Sequence, residues 1–210
     1  DYPFTTLVPS LGVVGVGSDS SFVMADIPGL IKGAADGAGL GVQFLRHLAR
    51  TRILLHLIEL TPAARTEPLA NAALLDAELA RYSSALAERP VWMVVSKIDL
   101  AEATEVEQIA AQLKLAYPQR PVFAISAVTG AGLSELTDAL MRAMAEFRSD
   151  LAEDAQFAEK QQELETRIAA DVLQSSLHVR AQRPHQAQGQ KAQKNTGQDE
   201  NEGPVVVTGS

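Results

Sequence analysis

Three apolar runs constrain this chain more than any other feature: Arg52–Leu60 (RILLHLIEL), Val91–Asp99 (VWMVVSKID) and Val122–Ser126 (VFAIS). Each is apolar at nearly every position rather than at alternate ones, the pattern of strands covered on both faces. Helical periodicity separates them. Leu75, Leu79, Tyr82 and Leu86 recur at spacings of four, three and four, with Thr66 before them as a cap and Pro90 after them as a stop. Thr104 and Glu107 fit a capping box ahead of the stripe Val106, Ile109, Ala110, Leu113 and Tyr117. Leu133, Leu136, Leu140, Met144 and Phe147 form a further stripe. Strands alternating with helices in this way predict an α/β fold, a doubly wound and mostly parallel sheet with right-handed crossovers.

Ahead of these elements, Leu11–Val16 and Ser21–Asp26 flank a Gly-Ser-Asp-Ser turn and read as an antiparallel hairpin. After Ser149 the composition turns to Gln, Ala and Glu. The chain therefore divides into an α/β domain over 1–149 and a polar tail over 150–210. Phe157, Leu164, Ile168 and Val172 leave a thin apolar seam that predicts one helix over 152–178. Ala181–Asn201 is polar and repetitive and predicts disorder. The closing Pro-Val-Val-Val-Thr-Gly-Ser is too short to assign.

At 46% hydrophobic residues there is material for a sizeable core. The absence of cysteine excludes disulfides and thiolate metal sites and favours a reducing, cytoplasmic setting. No apolar run reaches the roughly 18–20 residues of a membrane span, and no signal-peptide pattern opens the chain. A formal charge of −8 argues against a general nucleic-acid-coating surface. The first residue is Asp1 rather than Met, which suggests a piece of something longer.

In an open parallel sheet, ligands bind beyond the carboxyl ends of the strands. Asp26 closes one strand here, Ser96-Lys97-Ile98-Asp99 a second and Ser126-Ala127 a third. Taken alone, each piece has a plainer reading. Asp26-Ile27-Pro28-Gly29 is a turn, Ser96–Asp99 a strand end running into a helix cap, Ser126–Gly132 a turn before a helix, and Phe4–Val8 an extended surface segment. Together with DYPFTTLVPSLG at Asp1–Gly12 and DIPGLIKGAADGAGLG at Asp26–Gly41, in this order and at these intervals, they resemble the guanine-nucleotide domain of translation-factor-related GTPases. Specifically, they resemble the Obg/CgtA family over Asp1 to about Phe147.

The resemblance implies a P-loop GTPase domain, incomplete at its amino end, that binds GTP and GDP with Mg2+ and hydrolyses GTP. Phe4, Thr5, Thr6, Leu7 and Val8 would form the first switch, with the Thr6 hydroxyl on the metal in the triphosphate state. Asp26, Ile27, Pro28 and Gly29 would be the family's Asp-x-x-Gly motif. Asp26 would hold Mg2+ through water and Gly29 turn its amide to the γ-phosphate. Ser96, Lys97, Ile98 and Asp99 would stand for the guanine-selecting Asn-Lys-x-Asp, with Asp99 accepting from the N1–H and exocyclic amine of guanine, a pair of donors that adenine does not match. Lys97 would lay its stem along the base and reach the phosphate-loop backbone. Ser96 departs from the usual Asn, since a hydroxyl cannot copy an amide's donor and acceptor, and this implies lower affinity. Ser126, Ala127 and Val128 would form the last base-contact loop, the Ala127 amide donating to guanine O6. The glycines from Gly33 to Gly41 match the second switch.

No catalytic residue is assigned. Leu30 stands where signalling GTPases carry a water-orienting Gln, so hydrolysis should be slow and depend on a repositioned switch, a monovalent cation or a docked partner. His56 reads as a core residue and His47 as surface or switch packing, neither with metal-ligand company. The phosphate loop Gly-x-x-x-x-Gly-Lys-Ser/Thr occurs nowhere in the 210 residues, which alone should therefore be less stable than the parent and nearly inactive. In the family it lies upstream of DYPFTT, behind a glycine-rich amino-terminal domain and with the strand that feeds it at the centre of the sheet. The resemblance further implies a cytoplasmic monomer that engages the large ribosomal subunit during assembly and the stress response, with no DNA or membrane partner. The alternative is a degenerate or truncated interaction module that works without nucleotide. An ATP-using relative is a third reading, which Asp99 opposes.

Overall fold

The structure is a computed structural model that describes residues 10–16, 20–26, 49–60, 68–181 and 205–209. Its strands are β1 (Ser10–Val16), β2 (Ser20–Asp26), β3 (Leu54–Glu59), β4 (Val91–Ser96), β5 (Val122–Ala124) and β6 (Val205–Gly209). Its helices are α1 (Pro68–Tyr82), α2 (Ala103–Ala116), α3 (Leu133–Glu153) and α4 (Ala155–Ala181). The strands form one sheet in the order β1-β2-β6-β3-β4-β5. Only β1 and β2 pair antiparallel, with Val13 opposite Val23, as the hairpin reading expects. Every other pairing is parallel, so β2 to β6 all end at one edge of the sheet.

Each apolar run has become a strand, β3 and β4 largely buried on both sides and the edge strand β5 half-buried. All six residues of β4 are buried, and alternation sorts its neighbours. Trp92 and Val94 join Phe22, Ile53, Leu55 and Ile125 beneath Leu136, Leu140 and Met144 of α3. Met93 and Val95 join Ile58 and Leu60 beneath Ala72 of α1 and Ile109 and Leu113 of α2. Removing side chains of this size from water contributes about 1.5–3 kcal/mol each, which is why period-two alternation within a wholly apolar strand still defines two packed faces. The α2 stripe packs as its spacing predicts, but its start differs. Glu102 is the cap and makes no side-chain cap bond, because the backbone leaves the preceding turn extended at Ala101 and the helix already begins at Ala103. The Thr104–Glu107 box is therefore not the helix start. Thr66 lies outside the described residues, and Leu86 packs from a 3-10 turn beyond the end of α1.

The tail adds more than its composition suggests. Asp154 breaks α3 from α4, and its Oδ1 accepts from the amides of Gln156 (2.9 Å) and Phe157 (3.1 Å), capping the new helix. Leu164, Ile168 and Val172 are buried against Leu54, Leu75, Leu79, Leu86 and Val91. Polar pairs flank that seam. Arg52 binds Glu165, Arg167 binds Glu88 (2.6 Å), and the Ser83 hydroxyl donates to Asp171 (2.5 Å) while accepting from the Leu86 amide (3.0 Å). Because Arg52 precedes β3 and Arg89 precedes β4, α4 lies across the amino ends of the strands. The last surprise is β6, the segment too short to assign. Val205, Val206 and Val207 stand opposite Met24, Ala25 and Asp26 on one side, and Val206 to Gly209 stand opposite Leu54 to Leu57 on the other. The centre of the sheet is thus filled from the far end of the sequence. The expected disorder over Ala181–Asn201 falls outside the described residues, apart from Ala181 at the end of α4.

His56 is buried in β3, 2% exposed, and its Nδ1 has no partner among the described residues. Burial pushes its pKa down from 6.5 to about 4, with Asp76 opposing and Arg120 assisting. The folded protein keeps this imidazole neutral where the unfolded chain would protonate it. Its contribution is complete above pH 6.5, shrinks as pH falls from 6.5 toward 4, and is lost below that. Replacing it by an apolar side chain removes the dependence. His56→Leu should flatten the urea-unfolding stability profile between about pH 4 and 6.5, by on the order of 2 kcal/mol across the window. An unchanged slope would assign the acid sensitivity to other groups.

Candidate functional site

Parallel strands bring their carboxyl ends to one edge, and the polar residues of this chain collect there. Asp26 closes β2 with its side chain exposed, Glu59 closes β3, Ser96 closes β4, and Ser126 follows β5. From β2 to β4 is three strand spacings, about 14 Å, which an extended nucleoside triphosphate bridges.

The best-defined part of the edge is the junction of the β4 and β5 ends. After Ser96 the chain turns through Lys97, the one non-glycine residue of positive φ among the described residues (φ 59°, ψ 38°). A long side chain seldom adopts this left-handed conformation, and such strain collects at functional sites. The turn carries the chain into the short 3-10 helix Ile98–Leu100, with Asp99 in its first turn. The Ile98 amide donates to the Ile125 carbonyl (3.3 Å), tying the two loops together. The Lys97 ammonium meets Glu59 Oε1 at 2.7 Å, both side chains being substantially exposed.

Ser126 is fully buried and holds the other half of the junction. Its hydroxyl donates to Asp99 Oδ1 (2.5 Å) and accepts from the Thr129 amide (3.1 Å). Its own amide donates to the Ala131 carbonyl (2.9 Å), and its carbonyl accepts from the Gly130 amide (2.9 Å). The exposed Asp99 is thereby fixed in orientation. Each carboxylate oxygen has two lone-pair positions, so Oδ1 can serve Ser126 and still accept from a ligand, as can Oδ2. Ala127 and Val128 are exposed beside it, and the Ala127 amide finds no acceptor among the described residues. One carboxylate with paired acceptors next to a free amide donor complements a planar base edge bearing two donors and a carbonyl.

The structure therefore unites Lys97, Asp99, Ser126 and Ala127 and sets Asp26 on the same edge. Ser96 is different. It is buried, and its hydroxyl lies 3.5 Å from the Ile58 carbonyl, inside the sheet rather than in the cleft. Phe4–Val8, Ile27–Gly29 and Leu30 lie outside the described residues. Sequence reading missed Glu59. The signal was available, since it is the one acid within an otherwise apolar run, at the carboxyl end of its strand. No group of three or more His, Cys, Asp or Glu suited to a metal forms among the described residues. A lone oxygen donor such as Asp26 suits a hard cation that keeps most of its water and takes its other ligands from a substrate, the habit of magnesium.

Residues 1–97 match a family model described as 50S ribosome-binding GTPase, and residues 69–142 match one described as ethanolamine utilisation - propanediol utilisation. Over 145 residues the chain is 52% identical to the GTPase Obg of Acidithiobacillus ferrooxidans, an alignment that takes in 69% of this chain. The chain belongs to the Obg family of GTPases. It spans 39% of the length of that Obg relative. Among solved structures, Era in complex with MgGDPNP and nucleotides 1506-1542 of 16S ribosomal RNA superimposes with a TM-score of 0.52. It does so at 21% identity, over 66% of this chain and 45% of that one, a likeness of fold. The elongation factor SelB of Methanococcus maripaludis with GppNHp aligns at a TM-score of 0.45 and 16% identity, over 67% of this chain and 28% of that one. Membership in a P-loop GTPase family agrees with the α/β sheet described above.

The loop that presents Ser126 and Ala127 is fixed by the glycine that ends it. Gly132 caps α3 at φ 72°, and a Cβ there would stand 2.0 Å from the Ala124 carbonyl oxygen. Gly130 also has a positive φ (81°) but faces open space. Gly132→Ala should therefore cost more than about 2 kcal/mol, against about 1 kcal/mol for Gly130→Ala. Urea unfolding midpoints of the two variants measure the difference, and equal losses would contradict the contact.

Proposed function

We propose that this Obg-family chain forms the carboxyl-edge part of a cleft that, together with a phosphate loop, binds GTP and GDP and acts with magnesium in hydrolysing GTP to GDP and phosphate. The observation that carries the reading is the junction of Asp99 and Ser126, locked by a 2.5 Å hydrogen bond beside the Ala127 amide, which has no acceptor among the described residues. Guanine offers N1–H and an amine to Asp99 and its O6 to Ala127. Adenine offers neither match, and a carboxylate that a bound base covers without supplying donors costs roughly 1–3 kcal/mol or more. Lys97 lays its stem beside the base. In this reading its link to Glu59 steadies the stem, and the ammonium is available to phosphate-side groups when nucleotide enters.

On the phosphate side Asp26 would hold a magnesium ion through water, and by the family resemblance Thr6 would add its hydroxyl in the triphosphate state. When bound, the metal neutralises phosphate charge. The resemblance to Obg proteins gives Phe4, Thr5, Leu7, Val8, Ile27, Pro28 and Gly29 the parts of switch and γ-phosphate contacts. Leu30 cannot orient water, so hydrolysis is slow without a partner. Ser96 contributes no base contact, because its hydroxyl is spent on the sheet. The ribosomal role belongs to the same proposal. The description of the matching family model supports a ribosomal surface as partner, and the resemblance to Obg proteins supports the large subunit, its assembly and a cytoplasmic location. No described helix is long and apolar enough to cross a membrane.

The alternative reading is a docking module that works without nucleotide. Base preference separates the two. Asp99→Asn turns one of the acceptors into a donor and should move binding from guanosine toward xanthosine nucleotides by tenfold or more, on the order of 1.4 kcal/mol. Titration of labelled GDP and XDP measures it. Equal, negligible binding of both nucleotides by wild type and variant would favour the docking module.

A further inference from the structure

We infer that Arg89 and Arg52, beneath α4 at the amino ends of β4 and β3, form a binding site for one small oxyanion of the phosphate class. The inference is independent of the nucleotide reading, since this site lies at the opposite edge of the sheet from Asp26, Asp99 and Ser126. Arg89 is 3% exposed, and its Nη1 has a single distant partner, Gln161 Oε1 at 3.4 Å. Its Nε and Nη2 are buried with no partner among the described residues. Those two atoms share one side of the guanidinium plane, and their N–H bonds run parallel. That is a fork which takes two oxygens of a carboxylate or phosphate at once. A buried charged donor without an acceptor is costly, and here the cost falls on both arms of the fork together.

The acids of the seam are already engaged. Arg52 binds Glu165, Arg167 binds Glu88, and Asp171 accepts from the Ser83 hydroxyl. No described carboxylate pairs with Arg89. Burial, and after it the nearby Arg52, lower the Arg89 pKa to about 10, so both guanidiniums are charged at neutral pH. Two cations therefore share the carboxylate of Glu165, and a bound oxyanion would supply the missing negative charge. Burial favours a free ion over a polymer. Arg89 lies under Gln161 of α4, so a nucleic-acid backbone could reach it only by displacing the helix. The Glu165 side chain is 43% exposed, which brings water, and with it a small ion, to the rim of the site. The ion would tie α4 to the residues that open β3 and β4. Docking of α4 would in this way depend on the phosphate around it.

Inorganic phosphate is the probe, added to the whole chain at neutral pH with sodium chloride holding the ionic strength constant. Amide exchange in 161–172 should slow by about tenfold when phosphate stands at about ten times its dissociation constant. Arg89→Met keeps an apolar stem without the charge, and it should lose both the phosphate response and the labelled phosphate that wild type retains in equilibrium dialysis. Gln161→Glu sets a carboxylate beside the guanidinium. It should protect 161–172 in the absence of phosphate and shrink the phosphate effect severalfold. Exchange in wild type that ignores phosphate would overturn the proposal and leave only water in the fork. An equal response in Arg89→Met would mark a general salt effect, and slower exchange with an RNA oligonucleotide but not with phosphate would mark a nucleic-acid contact. Either result overturns the site. Should Arg89→Met fail to fold, an undiminished phosphate effect in Gln161→Glu does the same. None of these measurements uses a nucleotide, so failure of the functional reading would leave their outcome unchanged.

Discussion

Parallel strands cannot be joined by tight turns, and everything at the site of this molecule follows from that constraint. Each crossover must return over a face of the sheet before the next strand begins, so every strand from β2 to β6 ends at the same edge. Asp26, Glu59, Ser96 and Ser126 are far apart in sequence and neighbours in space for no other reason. The crossovers also cover both faces, which is what permits β4 to be buried along its whole length and to act as a rigid base for the strained turn at Lys97. A left-handed lysine is tolerable there because both sides of the turn are tied down: Ser96 by the sheet, Ile98 by the Ile125 carbonyl.

What could be read in advance separates along the same line. Period and apolar content are local properties, and they located the hairpin, β3, β4, β5 and the faces of α2 and α3. Asp99, Lys97 and Ser126 were legible because each directly follows a legible strand, and strand ends define the edge. Orientation was not legible. Ser96 directs its hydroxyl into the sheet, and nothing in Ser-Lys-Ile-Asp distinguishes that from a cleft-facing side chain. Glu59 was overlooked because an apolar run draws attention to its burial rather than to its final acid. The Thr104–Glu107 box failed because a capping pattern marks a helix start only where the incoming backbone permits it, and here the chain was already helical at Ala103.

β6 illustrates a deeper limit. Five residues with three valines have strong strand propensity but no partner within reach of a local argument. Their position depends on a gap between β2 and β3 that exists only once the rest of the sheet has formed. The same is true of α4, whose seam predicted a helix but not its destination. Phe157, Leu164, Ile168 and Val172 form a stripe too thin to name a partner. Its partner is the patch made by Leu54, Leu75, Leu79, Leu86 and Val91, drawn from four separate elements.

The two ends of the sheet are consequently under different physical demands. At the amino end α4 closes the sheet with a buried apolar seam, and it also buries Arg89, 3% exposed, whose Nη1 reaches Gln161 at 3.4 Å. Its Nε and Nη2 have no partner among the described residues, and desolvation with the neighbouring Arg52 lowers its pKa to about 10. It remains charged at neutral pH. A buried cation with so few partners is costly, and the apolar contacts of Leu164, Ile168 and Val172 must offset that cost for α4 to stay docked. The carboxyl end holds its charges at the surface instead, where Asp26, Asp99, Lys97 and Glu59 are solvated and accessible. Stability resides at one end and polar chemistry at the other.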